Sequence, residues 1–423
     1  MRDQKSNRSV LITGMGSLNS ISRNVEGFRE ALYNGRCGIA KSSEGNEQIS
    51  FGGFIKDLDF RGQTDSLAVS DELKKKAVSL GRRAPDGIKY SILTSLEAWA
   101  QAGMEGRECD NTRIGIVLAG SNLSVNEQFR VASEYSDQPE FISPSYAFQF
   151  MDTYHIGVIS ELLSVKGVGF SVGSASASGN SAIIQGYNLV KNGSCDICLV
   201  VGTAADLSYI EKHAFANLGA LGGKDALIPP ESVYRPFDRK HDGFIYGQGA
   251  GCIILESSDT AEKTKALAEL SGGCIVLDGN HGPECNPDGE ARAMRAAIEM
   301  AGIECGDIDY INAHGTGSPL GDESEVRAIR EVFGSHAANI RINSTKSIIG
   351  HCLFSAGVCE CISTVIQMTN SFVHPNINLN APIDEGLNLV KGMSSEHSIR
   401  YALSNSFGFS GFNTSIVLKA LEG

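Results

Sequence analysis

Short apolar segments with strand character alternate with helical segments along almost the whole chain. Predicted strands cover residues 8–14, 114–120, 170–172, 197–202, 251–255, 268–277, 308–312, 340–343, 399–405 and 414–420. Predicted helices cover residues 25–34, 90–102, 178–191, 290–301, 323–333 and 355–368. Strands divided by helices favour a parallel-rich sheet covered on both faces. The sequence therefore predicts an α/β protein, and 423 residues with 42% hydrophobic content suffice for one large core or two medium cores.

The alternation divides the chain into two α/β halves, residues 1–256 and residues 257–423. No linker rich in Pro or Ser lies near residue 256, so we expect one compact unit, although no internal sequence repeat is visible. Residues 170–172 are predicted to form a short buried strand. Residues 122–159, rich in Ser, Glu, Tyr, Pro and Phe, are predicted to be irregular.

Residues 167–179, GVGFSVGSASASG, run from an apolar strand through a turn of small residues into a helix, with Ser176 at the centre. A turn of this kind places one small side chain at a helix N-terminus, where free backbone N–H groups stabilise an anion. Such a strand-to-helix elbow is a common position for a nucleophile or an oxyanion hole. Tight packing of the strand against the helix is the simpler explanation of the same residues.

Three later motifs support a functional interpretation of the elbow. They are NAHGTG at residues 312–317, STKSIIGH at 344–351 and NSFGFSGFN at 405–413. With the elbow, and with RPFD at 235–238 and DGF at 242–244, the chain resembles the beta-ketoacyl-acyl-carrier-protein synthases of the thiolase superfamily. The resemblance runs from residues 10–16 to the last strand. It implies a thiolase-like, five-layered αβαβα fold with two pseudo-duplicated halves, and a homodimer to which residues 122–159 contribute.

The elbow departs from this family at one position, because the family carries a cysteine nucleophile where this chain has Ser176. Ketosynthase-like proteins with serine there resemble the decarboxylases of polyketide beta-branching cassettes, also called HMG-CoA synthase-like cassettes. A thiol near pKa 8.5 yields a thiolate readily, whereas a serine hydroxyl needs a committed general base. We therefore expect poor acyl loading, and an enzyme that decarboxylates malonyl-acyl-carrier protein to acetyl-acyl-carrier protein.

His314 lies in the NAHGTG motif and His351 in the STKSIIGH motif, each in a loop between predicted elements. Either histidine alone is more simply a structural residue. Together, two imidazole N–H donors that converge on a thioester oxygen would stabilise the enolate formed when malonyl loses its carboxylate. The family pattern implies that Lys346 supports the site through charge and hydrogen bonding.

Asp322 and Glu325 look like partners that fix backbone or cations near these histidines. An acidic residue in the first turn of a helix needs no further function, and we prefer that interpretation for Asp322.

Three phenylalanines of the last motif are predicted to form an apolar wall: Phe407, Phe409 and Phe412. The backbone N–H of Phe409 resembles the second donor of the family's oxyanion hole, completed by the N–H of residue 176. Phe412 stands where the family usually has small residues. We expect its ring to narrow the pocket so that it suits a short malonyl group.

The net charge of −13 argues against a nucleic-acid partner. No apolar run approaches the length of a membrane span, and the charged start predicts no export, so we expect a cytoplasmic protein that does not bind membranes.

Eleven scattered cysteines indicate reduced thiols. Cys195 lies just before an apolar predicted strand, and Cys198 lies near the start of that strand. No second cysteine pair is nearby, which favours strand packing over a metal or redox site.

The densest cationic stretch is Lys74 to Lys76 followed by Arg82 and Arg83. Arg82 and Arg83 are candidates for docking an acidic acyl carrier protein, since surface cations mainly set on-rate and orientation. A solvated helix face explains the stretch equally well.

Gly14-Met15-Gly16 after the first strand is a weak dinucleotide signal, because the third glycine of that fingerprint is absent. The predicted reaction needs no bound cofactor or metal, because the thioester is the electron sink and the phosphopantetheine arm belongs to the carrier.

Two alternatives stay open. In one, the chain is an acyltransferase in which Ser176 is the nucleophile and His314 or His351 is its base. In the other, it is a non-catalytic, chain-length-factor-type partner, against which the retention of both histidines and Lys346 speaks.

Overall fold

A computed structural model of the protein describes residues 8–42 and 50–421. The strands are β1 Val10–Asn19, β2 Ala40–Lys41, β3 Phe51–Gly52, β4 Ile114–Ala119, β5 Gly169–Val172, β6 Ile197–Gly202, β7 Gly249–Ser257, β8 Ala268–Leu277, β9 Tyr310–Asn312, β10 Arg341–Asn343, β11 Phe372–Val373, β12 Ser395–Glu396, β13 Tyr401–Gly408 and β14 Phe412–Lys419. The helices are α1 Val25–Tyr33, α2 Phe60–Ser66, α3 Asp71–Gly81, α4 Asp86–Gln101, α5 Val125–Tyr135, α6 Tyr146–Gln149, α7 Thr153–Leu163, α8 Ser178–Lys191, α9 Tyr209–Asn217, α10 Pro287–Ala301, α11 Pro319–Phe333, α12 Lys346–Ile349 and α13 Ala356–Asn370.

The large sheet has the strand order β10-β9-β13-β14-β8-β1-β7-β6-β4-β5, and this order repeats itself about its middle. The two halves meet where β1 lies beside β8, and each half contributes five strands to this sheet. From that junction outward, the five strands of each half lie in the order first, fifth, fourth, second and third along the chain. The pairings are also the same in both halves, namely two antiparallel pairs followed by two parallel pairs. The predicted pseudo-duplication is confirmed in the topology. The division at residue 256, which falls within β7, stays a prediction.

Helices α8 and α13 pack on each other and on both halves of the sheet, so they form a central helical layer. Helices α4 and α7 cover the outer face of the first half, and α10 and α11 cover the outer face of the second. This arrangement gives the predicted five layers, αβαβα. None of the described helices combines the length and the apolar content that a membrane crossing needs.

Gly14 and Gly16 lie inside β1, which is longer than the sequence predicts, and they do not form a phosphate-binding turn. A Cβ at Gly14 would collide with the carbonyl oxygen of Ala98, and one at Gly16 with that of Thr94. Both glycines therefore allow the backbone of α4 to approach the strand closely.

Two predictions about the first half were wrong. β5 is not buried, because it is the last strand of the large sheet and, among the described strands, pairs with β4 alone, so its residues are alternately exposed and half-buried. Residues 122–159 are not irregular, since they contain α5, α6 and most of α7. In α7 the buried residues His155, Val158, Ile159 and Leu162 follow helical spacing, a pattern that the sequence interpretation overlooked.

Candidate active site

Ser176 lies in the turn between β5 and α8, as the sequence predicts, and it is half-buried. The preceding residue, Ala175, has φ +49°, a left-handed conformation that costs an L-residue of the order of 1–3 kcal/mol. Gly408 packs on this turn, where a Cβ would lie 2.6 Å from the carbonyl oxygen of Ser174 and 3.2 Å from the amide nitrogen of Ala177. The chain segment that continues into Phe409 thus runs beside the elbow.

The imidazole of His351 contacts the Ser176 hydroxyl, with 3.0 Å between Nε2 and Oγ. The backbone N–H of Leu353 donates to Nδ1 of the same ring at 3.2 Å. Burial, with a smaller effect of the Lys346 ammonium, holds the pKa of His351 well below 6.5, so the ring is neutral. A neutral imidazole has one N–H, and because Nδ1 accepts, the proton is on Nε2. His351 therefore donates to Ser176.

In His314, as in His351, Nδ1 of the ring faces a hydrogen-bond donor. The Lys346 ammonium lies 3.3 Å from Nδ1 of His314, and because an ammonium only donates, Nδ1 accepts and Nε2 carries the proton. Burial, followed by the charge of Lys346 and the nearby His351, holds the pKa of His314 well below 6.5. The two imidazole rings lie edge to face, with 5.6 Å between their centroids. The structure thus brings together two neutral histidines beside Ser176.

Lys346 is fully buried in the structure rather than solvent-facing. Its ammonium donates to the backbone oxygen of His314 at 2.6 Å and forms an ion pair with Glu360 of α13. Ser406 donates to the second carboxylate oxygen of Glu360 at 3.3 Å. Burial raises the pKa of Glu360, and the Lys346 charge opposes that effect. Sequence reasoning missed Glu360, for which the one available signal was an acidic residue in an otherwise apolar helix.

Glu325 of α11 supports the loop that carries His314. Its two carboxylate oxygens accept the backbone N–H groups of His314 and Gly315, each at 2.8 Å, and Asn405 donates to it at 3.1 Å. Burial raises the pKa of Glu325 to about 7, against the effect of these donors. The predicted role of Glu325 as a backbone partner agrees with these contacts.

Asp322, also in α11, has more contacts than a plain acidic residue in a first helical turn. Its carboxylate accepts the N–H groups of Phe237 and Gly317 at 2.6 and 2.9 Å, and it lies 2.9 Å from Nδ1 of His241. The preferred sequence interpretation was therefore incomplete, because Asp322 also contacts Phe237, His241 and Gly317.

A cavity of about 130 Å³ opens beside these residues. Among its lining residues are Ser176, Phe215, Phe244, Glu290, His314, His351, Phe354, Phe407, Phe409 and Asn413. Phe407 and Phe409 belong to the wall as predicted, and the ring of Phe407 lies 5.5 Å from that of His314. Sequence reasoning did not assign Phe215, Phe244 or Phe354 to the wall, although Phe244 ends the DGF motif at residues 242–244.

The expectation that Phe412 narrows this cavity was wrong, because Phe412 is not one of its lining residues. Phe412 begins β14, and adjacent residues of a strand point to opposite faces. The next residue, Asn413, lines the cavity in its place.

Arg82 and Arg83 follow α3, are both exposed, and do not line the cavity. Lys74 and Lys76 lie within α3 and donate to the backbone oxygens of Asp65 and Glu161. The two arginines are therefore the better candidates for a docking contact.

Cys195 and Cys198 are free, fully buried thiols beside and within β6, in keeping with strand packing. In the part of the chain that the structure describes, no group of three or more His, Cys, Asp or Glu side chains has a metal-binding arrangement.

The beta-ketoacyl synthase family models match the chain with both of their parts, the N-terminal domain over residues 7–261 and the C-terminal domain over residues 267–380. The chain belongs to this family.

Three relatives give the comparison more detail. The polyketide biosynthesis malonyl-ACP decarboxylase PksF of Bacillus subtilis (strain 168) is 40% identical over 416 residues, which cover 98% of this chain and 97% of the relative. The 3-oxoacyl-[acyl-carrier-protein] synthase 2 of Staphylococcus aureus (strain COL) is 33% identical over 424 residues, which cover 98% and 99%. A solved complex of a type II PKS acyl-carrier protein with its ketosynthase contains a chain with a TM-score of 0.85 and 25% identity, covering 98% of this chain and 100% of that chain.

Proposed function

We propose that the protein decarboxylates malonyl-acyl-carrier protein to acetyl-acyl-carrier protein in polyketide beta-branching, with no covalent acyl-enzyme. The observation that carries this proposal is the state of the two histidines, because both are neutral and both carry their proton on Nε2. The Ser176 hydroxyl that accepts from His351 gives way to the substrate oxygen in this mechanism. The 40% identity to a relative described as a malonyl-ACP decarboxylase supports the same reaction.

In this mechanism the thioester oxygen of the malonyl group accepts hydrogen bonds from Nε2 of His314 and His351. When the carboxylate leaves as carbon dioxide, its electron pair moves onto the thioester and the oxygen becomes negative. Preorganised donors in a buried site stabilise that developing charge far better than water does. Glu325 and Lys346 contact the His314 loop and keep its ring in place.

The acyltransferase alternative needs a base for Ser176. The nearest imidazole nitrogen is Nε2 of His351, which carries a proton because Nδ1 already accepts from Leu353. It donates to the hydroxyl and cannot remove its proton without a change of tautomer. This contact favours the decarboxylase over the acyltransferase.

The non-catalytic alternative is disfavoured by the buried ion pair of Lys346 and Glu360. Burying two charges is expensive, and such a pair often contributes little net stability. The Lys346 ammonium also contacts His314 and orients its ring, so the Lys346–Glu360 pair has a role in the site as well as in the fold.

The acyl carrier protein is the proposed partner, and it delivers the substrate on its phosphopantetheine arm. The solved complex of a related ketosynthase with an acyl-carrier protein supports such a partner. We assign the docking contact to Arg82 and Arg83, which are exposed at the end of α3. No bound cofactor or metal is required, since the thioester accepts the electrons.

We further propose a homodimer in the cytoplasm. The outer edge of β5 is the end of the large sheet, and exposed sheet edges are ready to pair with another chain. Near it in sequence lie three exposed rings, Phe141 at 66%, Phe148 at 45% and Phe150 at 40% exposure. Exposed apolar groups of this kind mark an interface. Light scattering of the purified protein tests the dimer, and a monomer at micromolar concentration would contradict it.

The test of the activity is to incubate the purified protein with malonyl-carrier protein and to record the mass of the intact carrier. We expect the malonyl form to lose one carbon dioxide and become the acetyl form. The His314→Ala/His351→Ala double variant is the control for spontaneous loss. A malonyl-carrier that stays intact with folded wild-type protein would refute the proposal.

A further inference from the structure

A buried carboxyl group, Glu290, lies in the wall of the same cavity as the two histidines. It belongs to the first turn of α10 and is only 1% exposed. It accepts a hydrogen bond from Ser324, and the next residue of α11, Glu325, accepts the backbone N–H of His314. The proposed mechanism has so far given this residue no role.

The hydrogen bonds distinguish the two oxygens of Glu290. The Ser324 hydroxyl donates to Oε1 at 2.8 Å, so Oε1 is the acceptor oxygen. Oε2 is buried and has no hydrogen-bond partner among the residues that the structure describes. A buried polar atom without a partner costs about 1–3 kcal/mol. In a neutral carboxyl group Oε2 is the O–H oxygen, and Glu290 is one of the residues that line the cavity.

The surroundings of Glu290 favour its protonated form. Burial is the largest effect, and the carboxylates of Glu325 and Asp278 add to it, so the pKa of Glu290 lies well above its ordinary value. Cys285 also faces this group from the adjoining loop. The nearest cation on α10 is Arg292, which lies 3.5 Å from Asp278 and offsets part of that carboxylate.

We propose that Glu290 is the acid that protonates the enolate carbon after decarboxylation, an inference that rests on the proposed function. The bond between the malonyl carboxylate and C2 breaks, carbon dioxide leaves, and the enolate holds the electron pair. That pair takes the proton from Oε2 of Glu290 to form the acetyl methyl group. The Glu290 carboxylate then regains a proton from water, so the cycle closes without another reactant.

Neither histidine fits this step. Each neutral imidazole uses its Nε2–H on the thioester oxygen, and a neutral imidazole is a far weaker acid than a carboxyl group. General acids act best when their pKa lies near the working pH, and burial moves the pKa of the Glu290 carboxyl group in that direction.

The test is Glu290→Gln, which keeps an oxygen for Ser324 and the shape of the cavity wall but has no acidic proton. We expect kcat for acetyl-carrier formation to fall by roughly 10²–10⁴, the range for loss of a general acid, with KM little changed. The matched control is Glu299→Gln, an exposed glutamate near the other end of α10 that does not line the cavity. We expect it to behave like the wild type.

The pH profile separates a proton donor from a structural residue. Because Glu290 must be protonated to act, wild-type kcat should be full at low pH and should fall as pH rises through its raised pKa. Glu290→Gln should lack that alkaline fall. A folded Glu290→Gln with wild-type kcat would overturn the inference.

If Glu290→Gln does not fold, the wild-type profile decides, and a kcat independent of pH across the neutral and alkaline range would overturn the inference. Wild-type protein that releases no carbon dioxide would instead overturn the proposed function itself, so the two failures are distinguishable.

Discussion

Replacement of Ser176 by alanine tests the role of the elbow most directly. In the decarboxylase mechanism the Ser176 hydroxyl only accepts a hydrogen bond from His351, at 3.0 Å. Ser176 is half-buried, so water or the substrate oxygen can take the place of the hydroxyl. A hydrogen bond of this kind has a net value of about 0.5–1.5 kcal/mol, which corresponds to roughly a two- to thirteen-fold change in rate.

A serine nucleophile would give a very different result. Loss of the nucleophile in a serine-dependent enzyme lowers kcat by several orders of magnitude, on the order of 10⁶ in subtilisin. The gap between the two expectations is wide enough for a steady-state assay. We expect Ser176→Ala to release carbon dioxide from malonyl-carrier protein within roughly ten-fold of the wild-type rate.

Ser176→Cys is the complementary change, because a thiolate is accessible near neutral pH. We expect this variant, exposed to an acyl thioester, to gain the mass of one acyl group, which the wild type should not gain. Intact-protein mass spectrometry measures both. A stable acyl ester on wild-type Ser176, together with abolished turnover in Ser176→Ala, would refute the decarboxylase mechanism and support the acyltransferase.

Two further predictions concern the donors and the docking surface. His314→Ala and His351→Ala should each slow decarboxylation by roughly 10²–10³, the cost of removing one oxyanion donor, and near-wild-type rates in folded variants would exclude them from the mechanism. Arg82→Glu combined with Arg83→Glu should raise KM for the malonyl carrier and flatten its salt dependence, since exposed charges act mainly on association. Arg327→Glu, a charge reversal at an exposed position of α11, is the control. If the double variant keeps the wild-type salt response, Arg82 and Arg83 are solvated surface residues and do not dock the carrier.

The residues that the sequence located correctly share a local origin. Ser176, His314 and His351 each lie in a motif close to the end of a strand, in a loop whose conformation depends on small residues nearby. Such loops meet at one edge of a sheet, so motif order along the chain was sufficient to predict that the three side chains converge. The five-layered fold followed from the family resemblance.

The residues that the sequence missed depend on long-range packing. Glu360 reaches Lys346 only because α13 packs in the central layer beside α8 and β13, and no local pattern gives that rotation. Glu290 joins the cavity because α10 packs on α11 through Ser324. Phe412 was placed in the wall from its motif, but the direction of its ring depends on the register of β14 with β8 and β13.

The donor scaffold of this site does not require a nucleophile. Leu353 fixes the tautomer of His351, and Lys346 fixes that of His314, through contacts that do not involve residue 176. In the proposed mechanism, Ser176 in place of the cysteine that the family resemblance implies leaves enolate formation intact and removes the loaded acyl group that the enolate would attack. With no electrophile in place, the fate of the enolate depends on the nearest acid. In the proposed mechanism, this one difference at the elbow turns a carbon–carbon bond-forming site into one that ends in proton transfer.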